Sequence, residues 1–200
     1  MIKNIIFDFG DIFINLDKEV VFREMDKYIK PLDMAELWAL NNAFEVGQIT
    51  TTEFLKGLQN SIGDVSIDEL ARIWNSMLLD FPDYRLEFLE NLALKKTHRL
   101  FLLSNTNALH IPHVEKIMGT DRFMRFKNCF EGFYLSHEIN LRKPNSDIFR
   151  YVLEKNKLLP TDTLFIDDTR ENTDAAKALG IHTWHLIVGK EDIVDLNSKI

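Results

Sequence analysis

The chain has 200 residues, 46% of them hydrophobic and 28% charged, with 31 acidic side chains against 24 basic ones. That length suits one large domain or a core with a small accessory unit, and the composition is that of a globular protein able to bury a sizeable core. A net charge of −7 lacks the basic footprint that nucleic-acid binding requires, although a bound cation can still invert the field inside a single cleft.

The first ten residues carry one lysine and a short apolar run that soon meets an aspartate. A signal peptide needs a longer apolar region and a small-residue cleavage site, and no stretch reaches the length of a membrane span. The single cysteine, Cys129, cannot form an internal disulfide or a multi-cysteine metal site and reads as a bland buried thiol. A cytoplasmic protein is expected.

Five short apolar runs, rich in branched and aromatic residues and without polar alternation, read as buried strands: 2–9, 98–103, 132–135, 163–166 and 183–188. Between the first and second, the apolar spacing is helical throughout. Val21, Met25 and Tyr28 share one face, as do Leu37, Leu40 and Phe44, then Phe54, Leu55 and Leu58, then Leu70, Ile73, Trp74 and Met77. Thr50 with Glu53 and Ser66 with Glu69 read as capping boxes. Four helices are therefore expected, with Trp38 and Trp74 in their core. Phe81-Pro82-Asp83 reads as the return hinge and 84–94 as a further helix. Later helices are expected at 146–156 and at 171–179, the second with Thr169 as N-cap and Gly180 as its left-handed stop. Strands alternating with helices imply an α/β fold. The expected architecture is a Rossmann-like parallel sheet core, residues 1–15 and 83–200, with a small all-helical cap, 16–82, inserted after the first strand.

Ligands of such sheets bind beyond the carboxyl ends of the strands, and those ends carry the chemistry here. Strand one runs into Asp8, Gly10 and Asp11, strand two into Ser104 and Asn105, and strand four into Asp167 and Asp168, while Lys143-Pro144 precedes the 146–156 helix. Asp167 and Asp168 alone are ordinary helix-capping residues. With Asp8 on a neighbouring strand, three carboxylates share one cleft, which calls for a hard divalent cation with oxygen ligands, and magnesium suits a phosphate site. Lys143 supplies an ammonium for Asp8 and for transferring phosphoryl oxygens. Ser104 and the Asn105 backbone N–H are candidate phosphate donors. His110 with His113, and His182 with His185, are three apart, but the second pair points to opposite faces of a strand, and neither is expected to hold zinc.

The segments FDFGDIFINLD (7–17), LLSNTN (102–107), LRKPNSDIF (141–149) and LFIDDTRENTDAAKALG (164–180) resemble, in this order, the signature of the haloacid dehalogenase-like superfamily of aspartyl-nucleophile hydrolases. The helical insert resembles that superfamily's small cap, and FEVGQITTTEF (44–54) resembles a stretch of the subgroup related to bacterial sugar-1-phosphate phosphatases. The resemblance spans nearly the whole chain. It implies that Asp8 attacks phosphorus to give an aspartyl-phosphate, which water hydrolyses. It implies a magnesium ion held by the Asp8 carboxylate, the Gly10 carbonyl and Asp168, with Asp167 acting through a water. Ser104, Asn105 and Lys143 then hold the phosphoryl oxygens, and Asn172 supports the site from behind.

In one respect the sequence departs from the resemblance. Most phosphatases of the superfamily place an acid two residues after the nucleophile, where this chain has Gly10. Losing a general acid forfeits about 10²–10⁴ in rate, so Asp11 or a metal-bound water substitutes, the substrate has a good leaving group, such as an anomeric sugar phosphate, or the enzyme is slow. The expected function is a magnesium-dependent phosphatase of a small phosphorylated metabolite, with a sugar phosphate as one candidate. The competing readings are a metal-independent 2-haloacid dehalogenase, disfavoured by the paired Asp167 and Asp168, a phosphoryl-transferring mutase, and an inactive binding protein on the same fold.

Overall fold

The computed structural model describes residues 1–28, 33–63 and 65–200. Its centre is a parallel sheet of five strands, β1 (Asn4–Phe7), β2 (Arg99–Ser104), β3 (Gly132–Leu135), β4 (Thr163–Asp167) and β5 (His182–His185), in the spatial order β3-β2-β1-β4-β5. The chain builds outward from β1 through β2 to β3, then crosses to the other side of β1 for β4 and β5. The crevice at that reversal is where an open sheet presents a site.

Each strand appears where its apolar run was read, and the ends differ for local reasons. Strand β1 stops at Phe7 because Asp8 turns out of the ladder, though its N–H still bonds the Ile166 carbonyl at 2.9 Å. Strand β5 stops at His185 rather than reaching residue 188, and its last support is Leu186 N–H to the Asp167 carbonyl at 3.1 Å.

Both faces of the sheet are covered, which is why the strands are apolar without alternation. Ile5, Phe7, Leu100, Leu102 and Ile166 face a core completed by α5 (Asp83–Lys95), α6 (His110–Met118) and α7 (Thr120–Lys127). Phe7, Phe9, Phe13, Phe81, Phe126 and Phe130 meet there at centroid separations of 5.1 to 6.3 Å. Ile6, Phe101, Leu103 and Phe165 face the other way, onto α9 (Ser146–Asn156) and α10 (Arg170–Ala178). A single-turn helix, α8 (Ser136–Ile139), follows β3.

The insert contributes four α-helices among the described residues: α1 (Lys18–Met25), α2 (Met34–Glu45), α3 (Thr51–Ile62) and α4 (Ile67–Asn75). They share a core of their own that includes Met25, Phe44, Phe54, Leu58, Leu70 and Ile73. Trp74 belongs to it, but Trp38 does not: its side chain is 52% exposed. The expectation that both tryptophans are core fails because Trp38 sits beside Leu37 on α2, and only Leu37 turns inward. Thr50 and Glu53 form a complete capping box, whereas at α4 the Ser66 side chain accepts from Glu69 N–H without the reciprocal bond.

The outgoing and returning chains are paired. Asn15 N–H donates to Asp80 O, Leu79 N–H to Asn15 O and Asp17 N–H to Met77 O, each at 2.9 Å. The return connection is thus a short antiparallel ladder over 77–80, placed just before Phe81-Pro82-Asp83. Arg85, buried on α5, ties this junction down: its Nη1 donates to Phe13 O and to Asn15 Oδ1, and its Nη2 pairs with Asp192 at 2.8 Å.

Candidate active site

Strand register alone brings the carboxylates together. Phe7 is paired with Ile166, so the next residues, Asp8 and Asp167, leave adjacent strands side by side. Carboxylate oxygens of Asp8, Asp167 and Asp168 all lie within 4.8 Å of one another, and this is the one such group of potential metal ligands among the described residues.

Lys143 stands between two of them. Its ammonium is fully buried and donates to Asp8 Oδ1 at 2.7 Å and to Asp167 Oδ2 at 2.6 Å. Burial works to lower the Lys143 pKa, but Asp167 and Asp8 outweigh it, and the net direction is upward, so the group stays charged. Burial pushes Asp8 up to about 7; Lys143 opposes this, and repulsion from Asp167 and Asp168 adds to it. Fewer cations than carboxylates face the cleft from within the chain. A divalent ion would supply the balancing charge, and an all-oxygen donor set suits magnesium. The residues present therefore fit the metal.

Asp167 is saturated by protein. Besides Lys143, it accepts from Thr169 N–H at 2.8 Å and from Asn172 Nδ2 at 3.0 and 3.1 Å. These bonds brace the turn from β4 into α10, and Thr169 itself precedes α10 without a side-chain cap bond. Asn172, buried at 7% exposure, supports the site through Asp167.

Ser104 ends β2, 3% exposed, with only a long 3.4 Å contact from its hydroxyl to the Asn105 carbonyl. The Asn105 side chain serves the loop instead: Nδ2 donates to Lys143 O and Oδ1 accepts from Lys143 N–H, both at 2.9 Å. That pair of bonds fixes the backbone from which the Lys143 ammonium projects.

Gly10 lies beside Asp8 on the cleft, and a Cβ placed there would meet Leu16 Cδ1 at 2.7 Å. Asp11 adopts a left-handed backbone, φ 56°, and its carboxylate is engaged at both oxygens: Oδ1 accepts from Leu16 N–H at 3.1 Å and Oδ2 from Lys18 at 3.0 Å. Both oxygens of this carboxylate thus serve as acceptors within the chain.

Lys18 is the residue that sequence reasoning missed. It bridges Asp11 Oδ2 and Asp168 Oδ2, the latter at 2.8 Å. Burial works against its charge, yet Asp168 and Asp11 hold its pKa above the ordinary lysine value. A signal was available: Lys18 is the first residue of α1, where a helix N-terminus disfavours cations, and such a local conflict points to a partner elsewhere. Arg142, next to Lys143, likewise reaches the insert, pairing with Glu45 of α2 at 2.9 Å.

The other chemistry-bearing residues are engaged or unreactive, although His110 lines the same cavity. His110 is buried against the Trp74 carbonyl, and burial lowers it to about 4. His182 and His185 each bond a backbone carbonyl, of Thr161 and Asp168 respectively. Burial pushes the Cys129 thiol up to about 11, so it is unreactive.

Asp8, Ser104, Asn105, Lys143 and Asp168 open into one cavity of about 540 Å³, roofed by the helical insert. Such a cavity at the strand ends suits a small ligand. A family model described as a haloacid dehalogenase-like hydrolase matches residues 2–180. The chain belongs to that family. It is 26% identical to a D-ribitol-5-phosphate phosphatase of Bacteroides thetaiotaomicron, over 92% of this chain and 91% of the relative. It is 25% identical to a sesquiterpene phosphatase of Aspergillus oryzae, over 92% and 89%. Among solved structures, a family enzyme from Bacteroides thetaiotaomicron in complex with magnesium and inorganic phosphate superposes with a TM-score of 0.83 at 34% identity, covering 96% of this chain and 97% of that one. A 2-haloacid dehalogenase from Pseudomonas syringae shares the fold, with a TM-score of 0.59 at 14% identity. As a haloacid dehalogenase-like hydrolase, the protein has its family's α/β core, and no helix among the described residues is long and apolar enough to cross a membrane.

Proposed function

We propose that the chain is a magnesium-dependent phosphatase that hydrolyses a small phosphorylated metabolite through a phosphoryl group carried on Asp8. The observation that carries this reading is the buried Lys143 ammonium, shared between Asp8 and Asp167 beside a third carboxylate. A halide displacement at carbon gains nothing from three clustered acids, whereas a phosphoryl group, itself anionic, needs the cations they gather.

In the proposed reaction Lys143 holds Asp8 Oδ1, fixing the carboxylate so that its other oxygen is presented to phosphorus. The Asp8 oxygen–phosphorus bond forms as the ester oxygen departs; water then attacks the aspartyl-phosphate and returns the free carboxylate. Ser104 and the Asn105 backbone N–H bind phosphoryl oxygens, and Lys143 neutralises the charge that develops on them. Asp8, Asp168 and the Gly10 carbonyl would hold magnesium, with Asp167 behind a water, and the ion would supply Lewis-acid polarisation of the phosphoryl group. With Asp11 engaged at both oxygens, the departing group leaves without a carboxylic acid, which supports an acidic alcohol such as an anomeric sugar hydroxyl. Residues 16–82 act, in this reading, as a cap over the core of 1–15 and 83–200, joined to it through Lys18 and Arg142. A cytoplasmic address goes with it.

The test is hydrolysis of a generic aryl phosphate. Magnesium should support it and excess chelator should abolish it; undiminished turnover in chelator, or chloride release from a 2-haloacid, would overturn the reading.

A further inference from the structure

The cavity has a polar floor and a wall of different character. Leu37, Trp38, Asn41 and Glu45 recur on α2 at helical spacing, so all four face the cavity from one side. Leu37 is buried and apolar, and Glu45 is paired with Arg142, which cancels both charges. Asn41 is different: it is 6% exposed, it lines the cavity, and its carboxamide has no hydrogen-bond partner among the described residues. Buried amides in native proteins are bonded, so an open one facing a cavity marks where a ligand atom belongs. Three residues earlier on the same face, the indole of Trp38 stands half exposed, with the Phe22 ring beside it at a separation of 6.5 Å. A large aromatic surface left out of the cap core at the edge of a cavity is a contact surface for a ligand. Nearby, His110 has both ring nitrogens engaged, by Asn107 and by the Trp74 carbonyl, whereas the Trp74 indole N–H is a second buried donor with no partner among the described residues.

We propose that Asn41 and Trp38 determine the specificity of the site, and that its substrate is the phosphate ester of a neutral, hydroxylated carbon chain or ring. The inference rests on the phosphatase reading for the phosphate end alone. Such a body lays a C–H face against the Trp38 indole and offers a hydroxyl to Asn41. A hydrocarbon body would suit the indole equally, but it would bury the carboxamide unpaired. A site built around a hydrogen bond rejects the analogue that lacks it much more strongly than an apolar pocket rejects an extra group. A charged body finds no free partner on this wall, since Glu45 and Arg142 satisfy one another.

The proposal is tested by binding without turnover, in full-length Asp8→Asn protein with magnesium present, by calorimetry. Two matched pairs serve as probes: ribitol 5-phosphate with pentyl phosphate, and glucose 1-phosphate with cyclohexyl phosphate. At least one hydroxylated member should bind about tenfold or more tightly than its hydrocarbon twin. Adding Asn41→Leu should erase that ratio, and Trp38→Ala should weaken both members of the pair. If Asn41→Leu loses its thermal transition, Asn41→Ala, which adds no bulk, gives the same reading. Equal or tighter binding of the hydrocarbon twins, a ratio that survives loss of Asn41, or no binding of either hydroxylated probe overturns the proposal. Failure of the phosphatase reading would show separately, as absent aryl phosphate hydrolysis.

Discussion

Asp8→Asn is expected to lower kcat by on the order of 10⁴-fold or more, because a carboxamide cannot form the acyl-phosphate and removal of a nucleophile is among the costliest single changes in an active site. The fold should survive. Asp8 sits in the native state with its carboxyl pushed up to about 7 by burial and by repulsion from Asp167 and Asp168, so a neutral isostere relieves that repulsion. Lys143 keeps its 2.6 Å bond to Asp167. The thermal midpoint of the metal-free variant is therefore expected to equal or exceed that of the unaltered protein near neutral pH. Activity that persists, with mass spectrometry excluding deamidation of the new asparagine, would contradict the role of Asp8.

Lys143→Met is expected to fail twice over, in catalysis and in stability. Without the ammonium, Asp8 and Asp167 face each other in a buried site with no cation between them, and removing one partner of a buried pair costs about 3–5 kcal/mol. The deficit should depend on pH with a definite sign. Protonating the carboxylates removes the uncompensated charge, so the variant should be closer to the unaltered protein near about pH 5 than near about pH 8. Lys143→Arg should not rescue, because the side chain is fully buried and the position is fitted to a point charge. Denaturant midpoints at the two pH values, together with aryl phosphate turnover, measure both losses. A variant as stable as the parent at the higher pH would show that the carboxylates are neutralised some other way.

Much of this site is visible in the chain because its parts obey local rules. Apolar runs free of alternation mark strands buried on both faces, and the polar residues that end them must emerge at one edge of the sheet. Asp8, Ser104 and Asp168 follow from that logic, Lys143 from its place before the 146–156 helix, and all four line one cavity. The bonding that organises them is less visible. Nothing in the order of residues says that the Asn105 carboxamide clamps the Lys143 backbone, since this contact joins two loops that are far apart in the chain. Lys18 was hidden for a different reason. It lies in the insert, and only the paired ladder at residues 15–17 and 77–80 returns it to the core edge. Trp38 shows the limit of periodicity: spacing identifies a helix but cannot say whether the neighbour of an inward residue is covered or left at a cavity.

The central claim is that phosphoryl transfer passes through Asp8, and trapping the intermediate tests it most directly. The protein is mixed with an aryl phosphate and magnesium, quenched in acid within a turnover, digested, and read by mass spectrometry. The account predicts that the peptide containing Asp8 gains one phosphoryl group, that the label is absent from Asp8→Asn, and that Asp11 and Asp168 stay unmodified. A label on any other residue, or solvent oxygen entering the Asp8 carboxylate rather than phosphate over repeated cycles in ¹⁸O-water, would contradict it.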